Sequence, residues 1–392
     1  MNLRVVKFGG TSVGDIAKIK FAANIVKDII SSGDRVIVVV SAMAGMTNKI
    51  LSLCNDITQN NTKRTGQEFD AALSTGESLS ASLLSLALNK IGIESRSLQS
   101  WQISIKSNSL PNNALIQDID KELLHKLLGS NIVPVIAGFQ AINDENMITT
   151  LGRGGSDTTA SAIAAAFSAN YCDIYTDVEG VYSADPRIVH DAKIIEKLSF
   201  DEMIEFAGAG AKVLHPRSVE ICMRYGINLR IFSSYNLKSG TEIMHSVTEI
   251  NRITGISYIK KLCLVEILCN DKELENFITE FTNQDGNIYQ IISYESDKFK
   301  FILSEEYIHK LQAILDEKSI DCKITKTLGS VKIVGAAVRH DLKIFKNILK
   351  SLDKHKIKYH ALSNSEVKFS ILVDEINVEK LVRILHEELL NE

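Results

Sequence analysis

Short β-branched runs alternate with segments of helical apolar spacing through the first ~230 residues, and this alternation restricts the chain to a small set of folds. Residues 4–8 and 35–40 are β-branched runs that end in small residues, and residues 131–137 and 171–176 read as further buried strands. Residues 15–30 and 69–88 carry helical spacing, and the alanine-rich residues 156–169 form a third helix. Strands that are apolar on both faces must be covered on both, so the expected architecture is an α/β sheet between helical layers. Small-residue loops tend to follow the strands, which is where open α/β sheets bind ligands.

The rhythm changes after Ser233. All four prolines (Pro111, Pro134, Pro186, Pro216) precede that point, and residues 233–240 read as a connecting segment. Beyond it, strands at 262–268, 288–293, 299–303 and 322–327 alternate with helices at 272–282 and 308–315. The pattern begins again with a strand at 331–338, a helix at 342–352, strands at 358–362 and 368–373, and a helix at 378–389. This is an approximate repeat of ~65 residues with the ferredoxin-like βαββαβ order. The second copy has no clear last strand, which leaves room for the two copies to interleave. The domains are therefore expected at residues 1–235, 261–328 and 329–392, with a linker at 236–260.

At 392 residues the chain is long enough for two or three domains. Its 45% hydrophobic and 23% charged residues are ordinary for a globular protein. A net charge of −4 gives no electrostatic reason to expect nucleic acid or an anionic membrane as partner. The first residues carry no apolar leader segment, and no apolar run approaches the ~20 residues that span a bilayer. Six scattered cysteines without a C-x-x-C pair read as free thiols in a reducing compartment, so the expected location is the cytoplasm.

Five stretches carry chemistry. In Lys7-Phe8-Gly9-Gly10-Thr11-Ser12 a strand delivers a lysine and two glycines. Glycine lets backbone N–H groups approach phosphate oxygens, and the lysine can offset charge on a transferring phosphoryl group. The stretch is neither a Walker A loop nor a dinucleotide-binding fingerprint, and alone it could equally be a tight turn. Gly152-Arg153-Gly154-Gly155-Ser156-Asp157 opens into the alanine-rich helix, where Ser156 or Asp157 is a natural cap and the exposed N–H groups favour an anion. Arg153 can fork onto a carboxylate or phosphate. Ser74-Thr75-Gly76-Glu77 places a glycine within a helix, and Glu77 could hold an ammonium group. Residues 175–187 form a strand end followed by a polar loop able to wrap a nucleotide, and Lys212 in Lys212-Val213-Leu214-His215-Pro216 could reach phosphate. His215 is read as structural, at a helix start.

Together and in this order these stretches resemble the aspartate kinases of the amino-acid kinase superfamily. The likeness rests on K-F-G-G-T-S-V at 7–13, V-S-A-M-A-G-M-T-N at 40–48 and S-T-G-E at 74–77. It continues through T-L-G-R-G-G-S-D-T-T at 150–159, residues 175–187, and K-V-L-H-P-R-S at 212–218. The C-terminal repeat is similar to the paired ACT domains of that family, and length and order fit a monofunctional member. The resemblance implies a three-layer α/β/α amino-acid kinase sandwich followed by two ferredoxin-like ACT domains. It also implies transfer of phosphate from ATP, with Mg²⁺ arriving on the nucleotide rather than in a protein cage, to the side-chain carboxylate of L-aspartate. That reaction begins the route to lysine or diaminopimelate, threonine and methionine. By the same resemblance Lys7, Phe8, Gly9, Gly10, Ser41, Thr176, Asp177, Tyr182, Arg187 and Lys212 would contact ATP. Thr47, Glu77, Arg153, Gly154 and Ser156 would hold aspartate, with Glu77 on its ammonium, and Lys7, Arg153 and Lys212 would be catalytic.

The chemistry agrees with that assignment. The attacking carboxylate, with a reference pKa near ~3.9, is already ionised at neutral pH and needs no general base. What it needs is relief from repulsion by the ATP phosphates, which lysines, arginine and backbone N–H groups supply. A glutamate or N-acyl amino acid kinase is the alternative within the class, an amino-acid sensor built on the ACT pair is the alternative outside it, and an NAD-dependent oxidoreductase lacks its fingerprint. The resemblance further implies a feedback amino acid, lysine or threonine, contacted by Asn287 and Ile288, and a homodimer or homotetramer formed through the ACT domains. Both copies depart from the family by lacking the Pro-Gly turn before the ACT helix; Asn270-Asp271-Lys272 and Arg339-His340-Asp341 stand there. Without that glycine close backbone approach to a ligand is harder, which points the repeats toward dimerisation.

Overall fold

The structure, a computed structural model, describes the chain apart from residues 1, 59–65, 209–212, 237–239, 246–252, 285, 296, 319, 337, 339, 340, 391 and 392. The chain divides into two compact units, residues 1–181 with 194–248, and residues 182–193 with 249–392.

The first unit is built on an eight-stranded sheet. Its order is Lys197–Ser199, Gly240–Met244, Asn228–Ser233, Tyr171–Thr176, Leu3–Phe8, Arg35–Val40, Val133–Ala137 and Ser95–Leu98. From Asn228–Ser233 to Ser95–Leu98 every neighbouring pair is parallel. The near-continuous apolar strands follow from this, because helices cover both faces. On one face the helices Ile16–Ser31 and Gly66–Lys90 bury Ile19, Ala23, Val26, Ala81, Leu84 and Leu88 against Val6, Phe8, Val38 and Val40. Asp15 starts the first of these helices by accepting a hydrogen bond from the Lys18 N–H at 2.9 Å. On the other face lies the helix Gly155–Ala166, packed on the strands Leu3–Phe8, Arg35–Val40 and Tyr171–Thr176. A four-stranded sheet of Ile116–Ile119, Ile105–Ser107, Gln140–Ile142 and Ile148–Thr150 completes the unit.

The second unit carries a six-stranded antiparallel sheet ordered Ile288–Glu295, Lys298–Ser304, Gly255–Leu268, Cys322–Val334, Lys368–Asp374, Tyr359–Asn364. Its two central strands are long and serve both repeats. Residues 262–267 pair with 322–328 within the first repeat. Residues 255–259 pair with 330–334 and stand where the second repeat lacks a strand in sequence order. A linker is expected from sequence at residues 236–260. The structure instead places there the strand Gly240–Met244, in the first unit's sheet, and the first residues of Gly255–Leu268. The alternation Ile256, Ser257, Tyr258 is a strand pattern whose partner lies about 75 residues away in sequence, which is why local reading passes over it.

The two positions that lack the Pro-Gly turn are helix starts closed by their own side chains. Asn270 and Glu273 form a reciprocal capping box, the Asn270 side chain accepting from the Glu273 N–H at 3.1 Å and Glu273 from the Asn270 N–H at 2.9 Å. Asp341 accepts from the Lys343 N–H at 2.9 Å.

Candidate functional site

A cavity of about 550 Å³ opens at the carboxyl ends of the strands Leu3–Phe8, Arg35–Val40 and Tyr171–Thr176. Lys7 reaches it from the first strand and is almost fully buried. The neighbouring Phe8 faces the other way, as strand alternation requires, and stacks on Tyr175 with ring centroids 5.1 Å apart. The Phe8 side chain belongs to the core, so a contact of Phe8 with the nucleotide falls to its backbone.

The two glycines that follow press against the loop after Val40. The Gly9 N–H donates to the Tyr175 carbonyl at 2.9 Å, the Ala44 N–H to the Gly10 carbonyl at 3.1 Å and the Ser41 N–H to the Phe8 carbonyl at 3.1 Å. A Cβ on Gly10 would stand 2.7 Å from the Ala42 carbonyl oxygen, a backbone atom that cannot yield. Ser12 donates to the Tyr175 carbonyl at 3.1 Å and accepts from Ser234 at 2.5 Å, tying this turn to two strand ends.

Glu77 enters from the helix Gly66–Lys90. Gly76 explains its own presence in that helix: a Cβ there would lie 2.8 Å from the Ala42 side chain, so only glycine lets the helix approach the loop. Glu77 Oε1 accepts from the Ala42 N–H at 3.1 Å, while Oε2 is buried without a hydrogen-bond partner. Burial pushes the carboxyl up to about 7, against the lowering pull of the Ala42 N–H and the Lys7 charge. A buried acceptor oxygen without a donor, at the wall of a cavity, is suited to a cation from outside.

The Gly152-Arg153-Gly154-Gly155 turn forms the opposite wall. Gly152 and Gly154 have φ of +75° and +69°, and a Cβ on Gly154 would sit 2.2 Å from the His215 Cβ. His215 therefore acts as packing. It occupies the N-cap position of the helix Pro216–Tyr225 without a capping hydrogen bond, and burial holds its imidazole below the usual range. Arg153 is exposed at the cavity, and Ser156 and Asp157 face it from the first turn of the helix Gly155–Ala166. Lys7 Nζ approaches Asp157 Oδ1 to 2.5 Å, an ionic contact without the alignment of a regular hydrogen bond.

Of the residues expected from sequence, Lys7, Gly9, Gly10, Ser41, Thr47, Glu77, Arg153, Gly154, Ser156, Thr176 and Asp177 come together around this one cavity. Tyr182 and Arg187 belong to the segment that groups with the second unit, where Arg187 pairs with Asp185 at 2.7 Å. Lys212 lies outside the described residues, although the adjacent Val213 lines the cavity. Asn287 is exposed just before the strand Ile288–Glu295 in the second unit, and Ile288, half-buried, is that strand's first residue. Sequence reasoning missed Asp157 as the partner of Lys7, because an aspartate at a helix start reads as a cap. It also missed Asn48 and Phe139 in the lining.

The sequence profile of the amino acid kinase family matches residues 2–233. The aspartokinase of Rickettsia felis is 41% identical, over 97% of this chain and 98% of the relative. Among solved structures, Escherichia coli aspartokinase III in complex with aspartate and ADP, in its R-state, superposes with a TM-score of 0.85 at 24% identity, covering 99% of this chain and 100% of that one. The same enzyme in complex with lysine and aspartate, in its T-state, gives a TM-score of 0.78 at 24% identity, covering 99% of both chains.

Proposed function

This chain belongs to the amino acid kinase family, among its aspartokinases, and from that premise we propose how the cavity transfers phosphate from ATP to L-aspartate. The observation that carries the reading is the meeting of Lys7, Glu77 and Arg153 on glycine-built walls of one cavity. Glu77 takes the ammonium of aspartate through its buried, unbonded Oε2. Arg153 takes a carboxylate, with Ser156 and Gly154 at its side, and Thr47 touches the same substrate. Gly9, Gly10, Ser41, Thr176 and Asp177 border the nucleotide, with Lys212 assigned to it as well.

The side-chain carboxylate of aspartate attacks the terminal phosphorus without a base, since it is ionised at neutral pH; the bond from that phosphorus to its bridging oxygen breaks and ADP leaves with the electron pair. Two anions must nevertheless meet. Lys7, held by Asp157, sets its ammonium where charge on the transferring group develops, and the N-terminus of the helix Gly155–Ala166 adds a favourable dipole. The carboxylates in the lining are Glu77, Asp157 and Asp177, of which Asp157 is engaged by Lys7 and Glu77 by the Ala42 N–H. This donor set suits a magnesium ion brought by the nucleotide on its own phosphate oxygens, where it supplies charge neutralisation.

We assign the second unit to regulation by a feedback amino acid, lysine or threonine, and to association of the chain into a dimer or tetramer. The lysine-bound T-state of the E. coli enzyme supports the first assignment. No helix among the described residues is long and apolar enough to cross a membrane, and all six cysteines are free thiols, which accords with a cytoplasmic enzyme.

The test is an acyl-phosphate trap. Purified protein with MgATP, hydroxylamine and aspartate is expected to yield the hydroxamate, with far less from glutamate and none from N-acetylaspartate, which has no ammonium for Glu77. Equal yield from N-acetylaspartate would overturn the role of Glu77, and no hydroxamate from aspartate would overturn the reaction.

A further inference from the structure

Asp70 lies seven residues before Glu77 on the same helix and is completely buried. Its carboxylate receives donors from a loop and from a strand end. The Asn112 N–H lies 3.2 Å from Oδ1 and 3.1 Å from Oδ2, the Thr150 N–H donates to Oδ2 at 2.9 Å, and the Thr150 hydroxyl donates to Oδ1 at 2.8 Å. Thr150 ends the strand Ile148–Thr150 and leads directly into the turn that carries Arg153. That turn is also braced against the Asn112 loop, since a Cβ on Gly152 would meet the Asn112 carbonyl oxygen at 2.6 Å. From its other flank Arg217 donates to the Leu151 carbonyl at 2.7 Å and to the Ala114 carbonyl at 2.9 Å. Residues 150–152 are thus held by a buried carboxylate on one side and a guanidinium on the other, one residue short of Arg153.

Seven residues are about two helical turns, so Asp70 and Glu77 sit on nearly the same stripe, roughly 10.5 Å apart along the axis. One rigid element therefore presents Glu77 to the cavity and anchors the turn that presents Arg153. A buried carboxylate is costly to place unless its donors are fixed, so the two hydrogen bonds from Thr150 define its position closely.

We propose that Asp70 is a positioning residue for the acceptor site, fixing through Thr150 the span between Glu77 and Arg153 that fits aspartate. The inference rests on the reading of the cavity given above. Nucleotide contacts lie on the other walls, so the consequence of losing Asp70 falls on aspartate and not on ATP.

The test is steady-state kinetics of the full chain with both substrates varied, on Asp70→Ala, Asp70→Asn and Thr150→Val. Misplacing Arg153 in Asp70→Ala is expected to raise KM for aspartate about tenfold or more, with KM for ATP within about twofold of wild type. Asp70→Asn should retain most of the wild-type behaviour, because its amide oxygen can accept the two backbone N–H groups while its NH₂ donates to the Thr150 hydroxyl. Thr150→Val removes one hydrogen bond and should raise KM for aspartate by a smaller factor. Equal effects on both KM values, no effect on either, or an Asp70→Asn variant as impaired as Asp70→Ala would overturn the proposal. Should Asp70→Ala fail to fold, as judged by circular dichroism, Thr150→Val decides: an unchanged KM for aspartate overturns it. A wild-type protein that gives no aspartyl hydroxamate overturns the underlying reading instead, so the two failures are distinguishable.

Discussion

Lys7 Nζ and Asp157 Oδ1 stand 2.5 Å apart, joining the end of a central strand to the first turn of a helix across the floor of the cavity. Both side chains are largely buried, so the ammonium has one place to rest. Removing the cation by Lys7→Ala is expected to lower kcat about 10²–10³-fold while KM for aspartate changes little, since the charge acts mainly on the transition state. Asp157→Asn should lower kcat by a smaller factor in the same direction, by releasing Lys7 from its position. The Lys7→Ala/Asp157→Ala double variant should be scarcely worse than Lys7→Ala, because the two residues act as a unit. Steady-state kinetics on the three variants checks this; a large rise in KM with unchanged kcat would contradict it.

Glu77 gives a pH dependence whose sign is fixed by burial. Its carboxyl is raised to about 7, so below that pH most of the free protein carries it protonated and unable to pair with an ammonium. KM for aspartate should therefore fall as pH rises through about 7, and Glu77→Gln should show a high KM that no longer depends on pH in this range. Stability runs the other way. A folded carboxyl above its unfolded value binds its proton more tightly in the folded state, so that contribution is lost as pH rises from 4.5 to about 7. Glu77→Gln, which keeps an acceptor for the Ala42 N–H, should melt no lower than wild type at alkaline pH. Thermal melts and KM values across the range test both halves.

These charged groups differ in how readable they are from sequence. Lys7, the glycine turns, Glu77 and Arg153 announce themselves because glycine beside a charged residue at a strand or helix end has few structural reasons to exist. Asp157 and Asp70 do not. An aspartate at a helix start satisfies capping by itself, and one inside an amphipathic helix reads as solvent-facing, so their partners, 150 and 80 residues away, cannot be inferred locally. Phe8 differs again: it sits within the motif, and the period of two turns its side chain into the core, leaving its backbone at the turn. In the second unit the repeat was legible, but the strand at 255–259 lies before the whole first repeat and pairs with residues 330–334 of the second, the repeat it completes.

Asp173 marks a carboxylate whose role is stability alone. It is fully buried in the strand Tyr171–Thr176 and receives a fork from Arg230, Nε to Oδ1 at 2.7 Å and Nη2 to Oδ2 at 2.8 Å, with Arg4 at 3.7 Å. Arg230 in turn stacks on the Tyr171 ring, its Cζ 3.7 Å from the centroid. Burial pushes the Asp173 carboxyl up, and the Arg230 fork pulls against it. Asp173→Ala leaves two guanidinium groups without this partner in a poorly hydrated place, at an expected cost of about 3–5 kcal/mol. Asp173 is three residues, about 10 Å, from the strand end that reaches the cavity, so activity per folded molecule should be unchanged. Urea unfolding followed by kinetics at a permissive temperature separates the two effects.

In the second unit His386 ties the helix Val378–Leu390 to the segment 182–193. Ser183 Oγ lies 2.9 Å from His386 Nε2 and accepts from the Lys193 N–H at 3.0 Å. The hydroxyl can donate to a neutral Nε2 or accept from an Nε2–H, according to the tautomer, and either way it pairs with the neutral imidazole that burial favours. Burial holds its pKa below the usual 6.5, against Asp191, which raises it, and with Lys193, which lowers it. The unfolded chain therefore takes up a proton below 6.5 that the folded chain resists, so this contribution is present above that pH and is lost as pH falls through it. His386→Gln abolishes the titration, so its melting temperature should fall less than that of the wild type on acidification. Glu77 and His215 titrate in the same region but are common to both proteins, so the difference between the two pH profiles isolates His386. Each proton released on folding steepens the wild-type profile by up to about 1.4 kcal/mol per pH unit. Parallel profiles would show that the folded chain takes up the His386 proton as readily as the unfolded one, which contradicts the effect assigned to burial.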